Sequence, residues 1–354
     1  MTARLGRPGG SASGAPPPAP EKPNERFLPG VRLRTNIRSH PYVTSEPGRS
    51  LHRICGIPRR KRVRMGLRLG VVVLTMGDRP RELGALLDSV AAQEGEAARV
   101  VVIGQGVRLP PLPDWVDAVE LPENLGIPGG RNLGARRLRE LGGVDVVVNL
   151  DDDGLLPRTD TFRLVREAFE RERLLGVVGF RVADGTGHTQ RRHLPRPGSS
   201  GALRSGEVTT FLGGGHAIRM SAIDRVGGFP SRFFYAHEET DFAWRVLDAG
   251  WSIRYRADLL LQHPRTEPAR HAAYYRLTAR DRVWPAKRRL PAVLVPPYLA
   301  SWSVYTLSRR PPAAGLRAWY SGFLEGVRTP CPPRRPMRWA TVWRMTRLGR
   351  PPVF

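Results

Sequence analysis

A chain of 354 residues that is 40% hydrophobic can bury a sizeable core as one large domain or two small ones, and its 34 prolines and 38 glycines predict long loops or unstructured ends. The net charge of +25 resembles that of a nucleic-acid binder until its distribution is read: residues 1–64 carry 14 Lys/Arg against 3 Asp/Glu and residues 326–354 carry 7 Arg without an acid, so the two tails hold 18 of the 25 excess charges. That leaves a solvated basic surface, or attraction to an anionic membrane, ahead of nucleic acid, and no nucleic-acid partner is expected.

Almost all cations are Arg, with Lys22, Lys61 and Lys287 the only lysines, which reads as the coding bias of a GC-rich genome. Cys55 and Cys331 lie outside the expected core, so no disulfide framework is foreseen and a reducing, cytoplasmic compartment is expected. Residues 15–20 are Pro-rich where a signal peptide would need an apolar stretch.

Residues 1–64 show no apolar periodicity and read as a disordered basic tail, part of which would be explained by a start at Met65. From Gly70 the pattern changes. Residues 70–74 form a β-branched run, the mark of a strand buried on both faces. A helix over 80–93 follows, with Leu83, Leu86, Leu87 and Val90 at helical spacing, then strands at 100–103 and 116–121, a helix at 131–141 and a strand at 144–150. A helix at 160–174 and a strand at 177–180 complete an alternation that predicts an α/β fold, a mostly parallel sheet flanked by helices. Beyond it lie a long loop (184–206), a Gly-rich turn (213–215), a helix over 238–249, a strand near 251–255 and a strand-like run at 259–262. Residues 290–307 contain no charge but hold Pro291, Pro296 and Pro297 with Arg309-Arg310 just beyond, which favours a segment lying in a membrane interface over one that spans it.

The chemistry is carried by four features. Asp151-Asp152-Asp153 directly follow a buried strand, at the end where open α/β sheets bind ligands. Adjacent carboxylates repel one another, and oxygen ligands select a hard cation such as Mg²⁺ or Mn²⁺, as in a metal–diphosphate site. The stretch Asn124–Gly134 places glycines, including Gly130, ahead of a helix whose N-terminus attracts anions, and Arg131 adds a charge for a diphosphate. His237-Glu238-Glu239-Thr240-Asp241 opens a helix, where either Glu238 or Glu239 would serve to remove a proton from an acceptor hydroxyl. His263 closes a strand-like run, and its imidazole would complete a Mn²⁺ shell.

In this order and spacing the motifs resemble the family-two inverting glycosyltransferases of the GT-A (Rossmann-like) fold, most closely bacterial rhamnosyl- and galactofuranosyl-transferase-like members. The resemblance covers residues 68–290. It rests on Thr75 and Arg79, the N-L-G-x-x-G-G-x-N-x-G stretch, the D-D-D triplet, Gly213-Gly214-Gly215, Gly227-Gly228-Phe229, the E-E-T-D-F-A-W-R helix, His263, and Arg280-Asp281-Arg282 with Leu290-Pro291. It implies a metal held by Asp153 and His263 with Asp151, nucleotide-sugar contacts from Thr75, Arg79, Gln105, Gly130, Arg131, Asp151 and Asp152, and Glu239 as base with Glu238 as fallback. The donor implied is a UDP- or dTDP-sugar, the acceptor a hydroxyl on a glycan, lipid-linked or small molecule, and the setting cell-wall or polysaccharide synthesis. Gln105 stands where such proteins often carry an acid. It can hydrogen-bond a base or ribose but adds no charge.

The expected organisation is a tail (1–64), a catalytic domain (65–290) and a helical, basic, membrane-associated extension (291–354), peripheral at the inner face of the cell membrane. Two other classes compete: a sugar-nucleotide nucleotidyltransferase, which would need a Gly- and Lys-rich triphosphate loop where Thr75–Pro80 supplies none, and a basic membrane- or nucleic-acid-binding protein with a degenerate catalytic domain.

Overall fold

The structure is a computed structural model that describes residues 32–33, 66–95, 97–195, 201–264, 272–330 and 333–353. Cys55, Cys331, Met65 and, apart from Arg32 and Leu33, the expected tail over 1–64 lie outside the described residues.

Among the described residues nine strands form one sheet: β1 (Arg32–Leu33), β2 (Leu69–Thr75), β3 (Arg99–Gly104), β4 (Val116–Glu120), β5 (Val146–Asp151), β6 (Leu175–Ala183), β7 (Gly206–Glu207), β8 (Gly215–Arg219) and β9 (Ser252–Gln262). Their spatial order is β1-β4-β3-β2-β5-β8-β6-β9-β7. The pairs β4–β3, β3–β2, β2–β5 and β6–β9 are parallel, whereas β8 runs antiparallel to both β5 and β6. The α/β sheet flanked by helices expected from the alternation is present, but it is mixed rather than mostly parallel, since β1–β4 and β7–β9 are antiparallel as well.

Successive residues of a strand point to opposite faces, and the central strands are apolar on both. Val71 and Val73 join Leu83, Leu86 and Leu87 of α1 (Pro80–Ala91) and Phe162, Val165 and Phe169 of α3 (Thr161–Arg171) on one face. Val72 joins Ala135 and Leu138 of α2 (Gly126–Glu140) on the other, with Met220 and Ile223 of α4 (Met220–Val226) and Phe242, Trp244 and Val246 of α5 (Glu238–Asp248). Pro80 starts α1 in a position where its missing N–H costs nothing. Gly142 and Gly143, at φ 103° and 73°, stop α2 with a turn open to glycine.

Three boundaries differ from the sequence reading. The Gly-rich stretch expected as a loop before residue 131 is the first turn of α2, which begins at Gly126. The two runs at 251–255 and 259–262 are one eleven-residue strand, β9, with a register irregularity opposite Phe180/Arg181. The Gly-rich turn leads into β8, whose five residues carry no long apolar run to announce them.

Past the sheet, α6 (Ala272–Arg289), α7 (Val295–Ser308), α8 (Ala313–Arg328) and α9 (Trp339–Arg347) follow. Tyr298, Met337, Val342 and Met345 bury themselves in the same core as Val72. Close approach of α8 to α6 depends on Gly322, where a Cβ would meet the Arg276 carbonyl oxygen at 2.0 Å. Among the described residues no helix is long and apolar enough to cross a membrane.

Asp241 ties the two halves. Its buried carboxylate receives Arg245 Nε at 2.8 Å within α5 and Arg289 Nε at 2.8 Å from α6. Asp241→Ala leaves two shielded guanidinium groups facing no anion, so a loss of about 3 kcal/mol is expected, read as a lower midpoint in urea unfolding.

Candidate active site

Parallel pairing of β2 with β5 sets Leu74 beside Asp151, so the carboxyl ends of β2, β3 and β5 open at one edge of the sheet. There they surround a cleft of about 730 Å³ lined by Thr75, Arg79, Gln105, Arg131, Asp151, Asp152, Asp153 and His263, with Met76, Asn124, Ile127, His193, Phe234, Tyr235 and Tyr274 as further walls. A crevice at the carboxyl ends of the strands is where an open α/β sheet admits a ligand.

The triplet divides its three carboxylates among different neighbours. Asp151 is the last residue of β5, and its N–H donates to the Gly214 carbonyl at 3.0 Å. Loss of solvent in the cleft raises its pKa, against the opposing charges of Arg131 and His263. Asp152 turns under the end of β2, where Thr75 hydrogen-bonds it and Arg79 Nη1 lies 3.5 Å away, yet burial still raises its pKa. Asp153 is also buried, but the hydrogen bond and charge of His263 together with Arg79 outweigh burial and hold its carboxyl below the usual range. Arg79 Nη1 meets Asp153 Oδ2 at 2.6 Å.

Asp151, Asp153 and His263 each offer one ligand atom, all within 4.8 Å of one another. His263 Nδ1 lies 2.8 Å from the Pro264 carbonyl. Donation of the Nδ1–H to that oxygen leaves Nε2 as a bare lone pair, the tautomer a metal ligand needs. That Nε2 faces the buried Asp153 Oδ1 at 2.9 Å, so a protonated ring donates to this oxygen and a neutral one leaves it without a donor. Two lone pairs in such proximity need either a proton or a cation between them. The donor set of two carboxylates and one imidazole fits Mn²⁺ or Mg²⁺, and the three residues form a candidate divalent-metal site.

Opposite the triplet, Arg131 projects from α2 with only 4% of its side chain exposed and fixes the acid pair. Its Nη1 lies 3.3 Å from Glu238 Oε1 and 3.2 Å from Glu239 Oε1, its Nη2 donates to the Gly213 carbonyl at 2.9 Å, and Asp151 Oδ1 is 3.9 Å away. Burial, and then the charge of Glu239, push Glu238 well above the ordinary carboxylate range, with Arg131 opposing. Glu238 is 1% exposed at its side chain and Glu239 16%, so Glu239 is the more open of the two. Both emerge from a bend in which Ala236 and His237 take φ of 71° and 62°, a left-handed conformation unfavourable for side chains other than glycine and typical of functional sites. Glu238→Gln copies the neutral acid, so turnover within about threefold of the parent is expected; a loss as large as that of Glu239→Gln would give Glu238 the proton-accepting role.

Gln105 lines the cleft with its amide engaged at both ends, Nε2 donating to the Gly126 carbonyl at 2.9 Å and Oε1 accepting from Leu125 N–H at 3.1 Å. Gly130 faces inward: a Cβ there would meet Gln105 Nε2 at 2.5 Å and Leu74 Cδ2 at 2.8 Å. Its visible requirement is therefore close packing of α2 on β2. The walls Phe234, Tyr235, His193 and Tyr274 went unnoticed in the sequence, as did His216, whose buried Nδ1 lies 3.0 Å from both the Leu212 and Gly213 carbonyls and shapes the turn that Arg131 grips. Isolated aromatics and a histidine within a strand carry no spacing that marks them.

This arrangement has counterparts among known proteins. Residues 71–228 match the protein family described as Glycosyl transferase family 2. They form a glycosyl transferase family 2 domain. The fold of this glycosyltransferase domain is shared with solved structures at low sequence identity. GalNAc-T7, crystallised with UDP, GalNAc and Mn²⁺, is 11% identical with a TM-score of 0.53, over 76% of this chain and 59% of that one. The 1-349 fragment of S. aureus TarS is 15% identical with a TM-score of 0.52, over 74% and 81%, and the same fragment in complex with UDP-GlcNAc is 16% identical with a TM-score of 0.50, over 74% and 82%. This chain thus spans less than two thirds of the first of these proteins. A search of curated proteins gave no match.

Proposed function

We propose that the chain transfers a sugar from a nucleotide-diphospho-sugar to an acceptor hydroxyl, with inversion at the anomeric carbon and dependence on a divalent metal. The observation that carries this reading is the convergence of Asp151, Asp153 and His263 on one point in a cleft, with Arg131, which lines that cleft 3.9 Å from Asp151, linking it to Glu239 at 3.2 Å. One group suits a diphosphate and its cation, and the other suits a hydroxyl that must lose a proton.

In the proposed reaction Glu239 accepts the acceptor's proton as its oxygen bonds to the anomeric carbon, and the bond from that carbon to the diphosphate breaks. A bound divalent cation supplies Lewis-acid relief of the charge developing on the diphosphate. Arg131 holds Glu239 in place, and Arg79 braces Asp153. Glu238, favouring its neutral form, adds no second negative charge beside the base. The donor proposed is a UDP- or dTDP-sugar of hexosyl or pentosyl type. The crystals of GalNAc-T7 with UDP and of TarS with UDP-GlcNAc support a uridine nucleotide.

The domain scheme of tail, catalytic domain and C-terminal extension is retained, with the extension as a peripheral membrane contact at the inner face of the cell membrane. Val304, Tyr305 and Leu307 of α7, Tyr320 of α8, and Trp339 and Trp343 of α9 are exposed, in a region with many arginines and few acids. Exposed aromatics beside arginines suit an anionic interface.

Incubating the protein with UDP- and dTDP-sugars and Mn²⁺ tests the reaction class. Release of nucleoside diphosphate supports transfer, and release of pyrophosphate from a nucleoside triphosphate and a sugar phosphate would move the chain to the nucleotidyltransferases. A thermal-shift panel of nucleoside diphosphates with and without Mn²⁺ identifies the base, since a ligand bound only by the native state raises its melting point.

A further inference from the structure

Behind the acid pair lies a second, nearly closed cavity of about 70 Å³ that the proposed reaction does not use. Its walls come from five separate parts of the chain: Thr209 and Thr210 ahead of β8, His237 and Thr240 at the start of α5, Arg282 of α6, Tyr298 and Trp302 of α7, and Arg350 past the end of α9. The cavity exceeds the roughly 10–15 Å³ of accessible volume that a single water needs.

The polar groups here are mismatched for an empty space. Arg282 stacks over Trp302 at 3.5 Å from the ring centroid and hydrogen-bonds Tyr298, and Arg350 Nη1 reaches the Pro195 carbonyl at 3.3 Å. No carboxylate forms an ion pair with either guanidinium among the described residues. Three other arginines of the interior have acids: Arg245 and Arg289 share Asp241, and Arg131 has Glu238 and Glu239. His237 Nε2 and Trp302 Nε1 are shut off from solvent with no hydrogen-bond partner. Desolvation, and then the charges of Arg282 and Arg350, depress the His237 pKa and favour the neutral ring, which still has one N–H to offer. The N-terminus of α5 adds a positive dipole end on the same side.

Two half-buried guanidinium groups, an indole N–H, an imidazole and hydroxyls therefore line one space to which no described residue contributes a carboxylate. Both arginines are half-buried, and desolvation lowers the pKa of each, an effect that a bound anion would oppose. We propose that this cavity binds a phosphate group, held between Arg282 and Arg350 with His237 and Trp302 as further donors. The site shares no lining residue with the donor cleft, and its His237 directly precedes Glu238. A filled site clamps the end of the chain at Arg350 to the left-handed bend that presents Glu238 and Glu239. Its ligand is free phosphate or the phosphomonoester of a larger molecule.

The test uses the full chain in EDTA, so that metal-dependent binding in the donor cleft makes no contribution. Inorganic phosphate, at ionic strength matched with chloride, is expected to raise the Tm by an amount growing with the logarithm of its concentration once the site fills. Arg350→Gln should weaken the apparent affinity by about tenfold or more, the loss of one charge-assisted bond. Trp302→Phe, which removes only the indole N–H from the polar set, should weaken it by a smaller factor. Arg347→Gln removes the same charge from an exposed neighbouring position and should leave the phosphate response unchanged.

Repeating the titration with glycerol phosphate distinguishes the sources. A matching shift assigns the site to a phosphomonoester, and a response to inorganic phosphate alone assigns it to the free ion. A wild-type Tm indifferent to both, or equal responses in Arg350→Gln and Arg347→Gln, would overturn the proposal.

Discussion

Glu239→Gln is expected to lower turnover by about 10²–10⁴-fold, the usual worth of a positioned general base, while donor affinity stays within about twofold of the parent. Gln keeps the length of the side chain and accepts the hydrogen bond from Arg131 through its amide oxygen, so the bend at Ala236–His237 and the packing of α5 are undisturbed. It cannot take a proton. Measuring kcat alongside the nucleotide affinity, by calorimetry, separates the two effects. Turnover preserved in Glu239→Gln would remove Glu239 from the chemistry, and a parallel collapse of affinity would mean that it holds substrate instead.

Asp153→Asn should weaken Mn²⁺ by about 100-fold, because a neutral amide replaces a charged ligand in a set of three. The same change removes the charge from the 2.6 Å partner of Arg79 and takes from His263 the group that contributes most to raising its pKa. The pH dependence in the unmodified protein follows from that raised pKa. The His263 proton stabilises the metal-free fold below the ordinary histidine range, and this contribution is lost as pH rises through the elevated folded value. Metal competes with that proton for Nε2. Mn²⁺ affinity therefore climbs with pH until His263 is neutral and then levels off, and in Asp153→Asn the plateau begins at lower pH. A Mn²⁺ titration that is the same in Asp153→Asn and the parent would remove Asp153 from the site.

The parts of the site legible in the sequence are those that a strand announces. Val146–Leu150 is apolar apart from Asn149, so the acids after it had to sit at the end of a buried strand, and β5 does end at Asp151. His263 was visible for the same reason, directly past β9. The Gly-rich stretch before Arg131 was harder, because glycine suits both a loop that approaches a phosphate and a helix that packs tightly on a sheet. Sequence spacing does not separate these, whereas the 2.4 Å from a Cβ at Gly134 to Val72 Cγ1 does. The grip of Arg131 on Glu238 and Glu239 joins positions 107 and 108 residues apart, and charged residues in a first helical turn ordinarily face solvent. Helices α6 and α8 were hidden because their contact is made by glycines and arginines rather than by an apolar stripe.

Glycines 130 and 134 seat α2 against Leu74 and Val72 with no space for another atom. The consequence concerns how this site can diversify. Its floor is inelastic: a larger residue there would lift the helix that carries Arg131 and misalign the base before it changed what binds. A descendant selecting a different sugar would have to leave that floor alone and rework the rim, at His193, Phe234, Tyr235 and Tyr274, which line the cleft from outside the strands. Directed libraries at those four positions should therefore keep folded, metal-competent protein while shifting donor or acceptor choice, and libraries at the two glycines should return mostly collapsed variants.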